Sequence, residues 1–172
     1  PFFCISLGLS YKGEVVRGYI YHPVVDELFV AKKGEGATLN GEKIQVSPKE
    51  DLQEALLSTR FPGIEVPGRE VYAHMIASII GESHGIRRLG SAALEMAYVA
   101  CGRLDGYFEF GVIPWDVAAA SLLVKEAGGQ VTDMEGGENY FFGRQILVTN
   151  GPLHNTLLRH LQSWITNLRS IQ

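Results

Sequence analysis

The stretch EFGVIPWDVAAASLLVKEAGG, residues 109–129, joins the end of a predicted strand to a predicted helix. Acidic and aromatic residues at 105–110 predict the strand, and the apolar run at 116–127 predicts the helix, which ends at Gly128-Gly129. A single carboxylate, Asp116, lies at the junction among residues that are suited to burial. It is either a cap of the helix or a functional group.

On both sides of this junction, strands and helices alternate from residue 51 to residue 172. Strand patterns lie at 55–60, 85–89 and 145–149, and helical patterns lie at 71–80, 91–101 and 153–168. This alternation predicts an α/β (α+β) lobe in which helices cover a mixed sheet.

The first fifty residues show no helical pattern. Three strand patterns lie at 5–11, 15–21 and 27–31. The dipeptide Asn40-Gly41 is a strong hairpin signal, so these strands are expected to form an antiparallel meander. We therefore predict two lobes. Residues 1–50 form the remainder of an N-terminal β-meander lobe, and residues 51–172 form the C-terminal α/β lobe.

The composition is that of a globular protein, with 46% hydrophobic and 20% charged residues among 172. The net charge is −4 and no run of Lys or Arg occurs, so we expect neither a nucleic-acid partner nor a membrane partner. No apolar run approaches the ~20 residues that span a bilayer. Cys4 and Cys101 lie far apart in apolar contexts, which favours reduced thiols and a cytoplasmic location.

Asp116 has two interpretations that the pattern leaves open. The cap interpretation needs only that Asp is a good N-cap residue and that Pro114 suits the start of a helix. The pattern alone favours this interpretation. The functional interpretation depends on Glu109, at the end of the preceding strand, because strand ends and helix starts converge at one edge of an α/β sheet. A helix N-terminus is also expected to lower the pKa of Asp116 and keep it ionised for a hard cation such as Mg²⁺.

Two further segments are expected at the same edge. Gly90-Ser91-Ala92 starts a helix with small residues, which leave backbone N–H groups open to a phosphate or a sugar hydroxyl, although a Ser cap on a tightly packed helix explains them as well. Arg87 and Arg88 alternate on a strand, so at most one of them faces the site. Thr59-Arg60-Phe61-Pro62 could line a pocket, but a plain strand end is the simpler interpretation.

Several short motifs occur in a specific order. They are Gly34-Glu35-Gly36-Ala37 with Asn40-Gly41, then Gly90-Ser91-Ala92-Ala93, then Trp115-Asp116 followed by Glu126-Ala127-Gly128-Gly129. In this order they resemble the inositol monophosphatase family over essentially the whole chain. The resemblance implies the layered α-β-α-β-α sandwich of lithium-sensitive, Mg²⁺-dependent sugar phosphatases, which are usually homodimers.

The resemblance also implies roles for individual residues. Asp116, as the aspartate of the Trp-Asp pair, is implied to be a catalytic Mg²⁺ ligand instead of a simple cap. Gly90, Ser91 and Ala92 are implied to contact the substrate. Glu109, before the Trp-Asp loop, is implied to bind hydroxyl groups of the substrate.

This sequence departs from the family in one respect. Family members carry upstream a Gly-Glu pair and an Asp-Pro-Ile/Leu-Asp-Gly-Thr segment that supply most of the metal ligands, and the sequence has no counterpart of either. The second segment lies shortly before a stretch like Pro1-Phe2-Phe3-Cys4-Ile5-Ser6, and natural chains seldom start in a core strand. We therefore expect that an N-terminal part is missing and that residues 1–172 alone are inactive.

These implications predict a Mg²⁺-dependent phosphomonoesterase of a small polyol or sugar phosphate, with inositol 1-phosphate as the first candidate substrate. Fructose-1,6-bisphosphatase and nucleotide 3′-phosphatase activities on the same fold are alternatives. A different class also stays open, namely a phosphatase-like protein without catalysis that acts as a regulatory or binding module.

Overall fold

The structure, a computed structural model, describes residues 1–61 and 69–169, with side chains up to Ile165 in the last helix. This part of the chain contains ten strands in two sheets, and four α-helices. The strands are β1 (Ile5–Tyr11), β2 (Glu14–His22), β3 (Glu27–Lys32), β4 (Gly36–Leu39), β5 (Glu42–Lys43), β6 (Leu56–Thr59), β7 (Gly85–Arg87), β8 (Gly106–Phe110), β9 (Gln130–Thr132) and β10 (Gln145–Thr149). The helices are α1 (Arg69–Glu82), α2 (Ala92–Ala100), α3 (Pro114–Glu126) and α4 (His154–Arg169).

The two sheets differ in strand direction. The first is an antiparallel meander in the order β1-β2-β3-β4-β5. The second is mixed, in the order β7-β6-β8-β10-β9, and β6 runs parallel to β7 and β8. Because Thr59 pairs with Phe108 in this register, the carboxyl ends of β6 and β8 meet at one edge of the sheet. Arg60 and Glu109 are therefore brought to the same edge.

The sheets and helices form layers. Helices α2 and α3 pack between the two sheets, in a core that joins Phe29 of β3 to Ile146 of β10. Helices α1 and α4 cover the other face of the second sheet, in a core around Leu57 and Leu147. The prediction of a layered α/β sandwich is confirmed. No helix in the described ranges combines the length and the apolar character needed to cross a bilayer.

Helix α3 lies directly against the first sheet because β1 and β2 present glycine to it. A Cβ atom at Gly18 would lie 2.6 Å from the carbonyl oxygen of Ala119, and one at Gly8 would lie 3.0 Å from Cβ of Ala118. This close approach places the start of α3 beside the start of β1, where the Ser6 hydroxyl lies 3.5 Å from the carbonyl oxygen of Trp115. Asp116 is positioned by the same packing.

The opposite face of β1 is apolar and open. Ile5, Leu7 and Leu9 are 54%, 61% and 55% exposed, while the small residues that alternate with them face α3. No described residue in 1–61 or 69–169 covers these three side chains. A polypeptide limited to residues 1–172 is therefore expected to be poorly soluble.

Some element boundaries differ from the sequence-based expectation. Helix α3 begins at Pro114 and not at residue 116, because the fixed φ of proline suits the first position of a helix. Helix α1 runs from Arg69 to Glu82 and so extends beyond both ends of the helical pattern at 71–80. Strand β9 has only three residues and was not predicted. The lobe boundary near residue 50 stays a prediction.

Candidate active site

A pocket of about 640 Å³ opens where the ends of β6 and β8 meet the first residues of α2 and α3. Gly90, Ser91, Ala92, Glu109 and Asp116, the candidate site residues of the sequence, all line this pocket. They come from three segments that are separated along the chain. The expectation that these segments converge at one sheet edge thus agrees with the structure.

Asp116 does not occupy the cap position of α3. The helix begins at Pro114 after Ile113 as N-cap residue, which makes Asp116 the third helical residue, and its N–H donates to the Ile113 carbonyl oxygen at 3.0 Å. Burial raises the pKa of Asp116, although a hydrogen bond with the Ile113 backbone and the charge of Arg60 act in the opposite direction. The expectation of a lowered pKa was wrong because desolvation outweighs the helix N-terminus here.

Glu109 is held in a fixed orientation on the wall of the pocket. It is 7% exposed, and its Oε1 atom lies 3.4 Å from Nη1 of Arg60. The Tyr107 hydroxyl donates a hydrogen bond to its other oxygen, Oε2. Burial and the adjacent carboxylate raise the pKa of Tyr107, so that hydroxyl stays protonated and remains a donor. Such an arrangement presents a preorganised acceptor to a ligand.

The turn before α2 provides backbone donors. Gly90 has a φ of 101°, in the region that favours glycine, and the helix proper begins at Ala92. The Ser91 side chain makes no capping hydrogen bond, and its Oγ lies 3.6 Å from Sγ of Cys4. Ser91 therefore occupies the N-cap position of α2, but its side chain does not act as the cap. The first N–H groups of a helix lack intrahelical partners, so this turn can donate to a ligand.

Other residues of the pocket were not assigned from the sequence. Arg60 lines the pocket instead of only ending a strand, while Pro62 of the same segment lies outside the described residues. Arg88 also lines it, and Arg87 instead donates to the carbonyl oxygen of Ile86 at 3.2 Å. Glu95 was missed, although a lone carboxylate in an otherwise apolar helix was a signal that could have identified it.

The fit to a metal ion is partial. Among the residues of 1–61 and 69–169, no group of three or more His, Cys, Asp or Glu side chains could hold a metal ion. Asp116 offers a carboxylate on the pocket wall, and burial raises its pKa. This side chain fits one ligand of a hard cation, but the described residues do not complete a coordination sphere.

Comparison with known sequences decides the family. The sequence model of the inositol monophosphatase family matches residues 1–166. The chain belongs to this family. Nus factor SuhB of Escherichia coli (strain K12) is 39% identical over 167 residues, and inositol-1-monophosphatase of Mesorhizobium japonicum is 36% identical over 159 residues. These alignments cover 97% and 92% of the chain, but only 62% and 60% of the two relatives.

Solved structures of family members are similar to the whole described fold. The inositol monophosphatase of Anabaena superposes with a TM-score of 0.89 at 44% identity, covering 95% of this chain and 65% of that one. The SuhB protein of Bartonella henselae superposes with a TM-score of 0.90 at 42% identity, covering 94% and 62%. The family and the fold that the motifs implied are thereby confirmed.

Proposed function

We propose that the full-length protein is a Mg²⁺-dependent phosphomonoesterase of a small polyol or sugar phosphate, with inositol 1-phosphate as its substrate. One observation carries this proposal. In a chain of the inositol monophosphatase family, Asp116, Glu109 and the turn Gly90-Ser91-Ala92 line a single pocket. A carboxylate for a cation, a fixed acceptor for hydroxyl groups and open amide donors are the groups that such a reaction needs.

Each wall of the pocket suits one part of the substrate. Asp116 would hold the cation near the phosphate, where bound Mg²⁺ supplies the charge that activates water and stabilises the leaving oxygen. The open amides at the start of α2 donate to phosphate or hydroxyl oxygens. Glu109, fixed by Tyr107 and Arg60, accepts hydrogen bonds from hydroxyl groups of the polyol. The described residues do not supply the remaining metal ligands.

The proposal also covers the association state and the cellular location of the full-length protein. The family resemblance supports a homodimer that is sensitive to lithium, and the composition supports a cytoplasmic protein. Sedimentation of the full-length protein would test the dimer, and its turnover in lithium chloride would test the sensitivity.

The direct test is phosphate release by the full-length protein from a panel of esters. The panel contains inositol 1-phosphate, fructose 1,6-bisphosphate and a nucleoside 3′,5′-bisphosphate, each in Mg²⁺ and in excess EDTA. We expect release from inositol 1-phosphate in Mg²⁺ and none in EDTA. Faster release from either bisphosphate would replace the substrate assignment, and no release from any ester would contradict the enzyme assignment.

A second candidate is a binding role without catalysis. It is favoured by relatives named Nus factor SuhB in Escherichia coli, Pseudomonas aeruginosa and Vibrio cholerae. This candidate predicts a folded full-length protein that releases no phosphate from the panel. The Mesorhizobium japonicum relative, assayed in parallel, would show that the conditions support turnover.

Replacement of Glu109 by Gln in the full-length protein should change the ranking of substrates more than it slows the chemical step. A hydrogen bond from a hydroxyl to a carboxylate is worth roughly 1.5–3 kcal/mol. Its loss corresponds to about ten- to hundredfold in relative kcat/KM among the esters. The measurement is kcat/KM for each member of the panel.

The matched control for Glu109 is Glu126. Its carboxylate accepts hydrogen bonds from the N–H groups of Gly34 and Gly36, each at 2.8 Å, and it does not line the pocket. Glu126→Gln should preserve the substrate ranking. If Glu109→Gln also preserved it, Glu109 would not be the group that recognises hydroxyls.

A further inference from the structure

Glu95 is a buried carboxylate to which the proposed reaction gives no role. It lies in the first turn of α2, it is 3% exposed, and it lines the pocket. Its helix neighbours Leu94 and Met96 are fully buried, and no ion pair joins it to any residue in the described ranges. Burial raises its pKa, the backbone of Gly90 and Ser91 and the Ser58 side chain act in the opposite direction, and the charge of Glu109 raises it least. A carboxylate so unfavourable for folding, at the wall of a pocket, points to a role in the site.

One oxygen of Glu95 fixes the turn before the helix. Its Oε1 atom accepts a hydrogen bond of 2.8 Å from the N–H of Gly90, while Oε2 is buried with no hydrogen-bond partner in the described ranges. The Ser91 side chain does not cap α2. Glu95 therefore reaches back over the start of the helix, as the glutamate of a capping box does from one position earlier.

The consequence concerns the direction of the open amide groups. Gly90, Ser91 and Ala92 line the pocket. The Gly90 N–H already donates to Glu95, and the backbone of Gly90 sets where the next N–H groups of the turn point. Glycine has no side chain to restrict its backbone, and a Cβ at Gly90 would meet no atom within 4 Å. The space beside Gly90 is thus open, and the hydrogen bond to Glu95 is the contact that holds its N–H.

We propose that Glu95 is a positioning residue whose hydrogen bond to the Gly90 N–H holds the turn so that its amide groups and Glu109 face the same substrate. This inference rests on the proposed function. This role needs a side-chain oxygen at residue 95 that can accept the hydrogen bond from the Gly90 N–H, and it does not need the negative charge. A neutral amide oxygen of the same length can accept the same bond.

The test uses two substitutions in the full-length protein. Glu95→Gln keeps an acceptor oxygen at the same reach, and Glu95→Met keeps a similar volume without an acceptor. We expect kcat/KM of Glu95→Gln to stay within about threefold of wild type and that of Glu95→Met to fall by about tenfold or more, because one positioning bond is lost. The melting temperature of Glu95→Met should equal or exceed that of wild type, since a buried carboxylate is removed.

If Glu95 only stabilised the fold, Glu95→Met would lower the melting temperature and leave kcat/KM unchanged. Glu126 provides an example of such a residue. Its carboxylate also holds a glycine turn through backbone N–H groups, at Gly34 and Gly36, but it lies outside the pocket. Glu126→Met should lower the melting temperature and leave kcat/KM unchanged. Unchanged kcat/KM in Glu95→Met, or equal losses in the Met and Gln variants of Glu95, would overturn the proposal.

Hydrogen exchange of the Gly90 amide measures its hydrogen bond to Glu95 independently of enzyme activity. Exchange should accelerate in Glu95→Met and stay slow in Glu95→Gln. If the Met variant does not fold, Glu95→Asp takes its place, because its side chain is one methylene too short to reach Gly90. Equal exchange in wild type and in the Met or Asp variant would overturn the inference. A wild-type protein with a protected Gly90 amide and no turnover would contradict only the proposed function.

Discussion

Asp116→Asn in the full-length protein is expected to lower kcat by at least about a hundredfold, because a metal-centred contact contributes several kcal/mol to the transition state. Asn keeps an oxygen at this position but loses the charge that attracts Mg²⁺. Raised Mg²⁺ should restore part of the activity. Steady-state kinetics over a range of Mg²⁺ concentrations is the measurement.

The same substitution should leave the fold nearly unaffected. Asp116 lies in the first turn of α3 but is not its cap, so Asn loses only the attraction of the charge to the helix N-terminus, and the free energy of unfolding should change by about 1 kcal/mol or less. Burial raises the pKa of Asp116, so above the pKa that it has in the unfolded chain its ionised form opposes folding. At neutral pH without metal, the neutral Asn variant should therefore be as stable as wild type or slightly more stable.

A true cap elsewhere in the chain is the control for Asp116. The Asp51 side chain caps a short 3-10 helix by accepting a hydrogen bond of 2.9 Å from the Gln53 N–H. Asp51→Asn should leave both kcat and its Mg²⁺ dependence unchanged. Near-normal turnover of Asp116→Asn with an unchanged Mg²⁺ requirement would show that Asp116 has no part in the chemistry.

Replacement of Asp105 by Ala is expected to cause the largest loss of stability. Asp105 is 1% exposed, and its Oδ2 accepts hydrogen bonds from the Leu56 N–H at 2.6 Å and from Nζ of Lys49 at 2.9 Å. Its Oδ1 accepts a hydrogen bond from the Ser47 hydroxyl. Alanine would leave a buried N–H and a hydroxyl without this acceptor, so the free energy of unfolding should fall by about 3–5 kcal/mol.

The control for Asp105 removes only one of its three partners. Lys49→Met removes the most exposed partner of Asp105, whose side chain is 39% exposed, together with its hydrogen bond of 2.9 Å to the Glu54 carbonyl oxygen. It should lower the free energy of unfolding by less than Asp105→Ala does, because the Leu56 N–H and the Ser47 hydroxyl still donate to the buried carboxylate. Urea unfolding of the full-length protein measures both changes. Similar losses in the two variants would contradict the account, in which the Leu56 N–H and Ser47 are the partners that matter.

Local patterns predicted the regular parts of the fold. The alternation at 5–11 and the apolar run at 145–149 match β1 and β10 because strand period and length are properties of short segments. Strand β9 was not predicted, since three residues carry too little periodicity and its pairing with β10 is a long-range contact. The helical residues at Pro114 and Trp115 were likewise assigned to a loop.

For the candidate site, too, the sequence predicted some features and missed others. The order of the motifs indicated which segments meet, and Gly90, Ser91, Ala92, Glu109 and Asp116 do line one pocket. The direction of the pKa shift of Asp116 was not predictable, because it depends on how deeply the folded protein buries this carboxyl group. Cys4 was missed because it reaches the pocket only through tertiary packing, whereas Glu95 could have been identified as the lone carboxylate of an apolar helix. The roles of these residues in metal and substrate binding stay predictions.

The Mg²⁺ dependence of inositol 1-phosphate hydrolysis, compared between the full-length wild type and Asp116→Asn, tests the central proposal most directly. The account predicts no phosphate release in EDTA, saturable activation of the wild type by Mg²⁺, and a variant curve that lies at higher Mg²⁺ with a lower plateau. Release that persists in EDTA, or a variant curve that superimposes on that of the wild type, would contradict it.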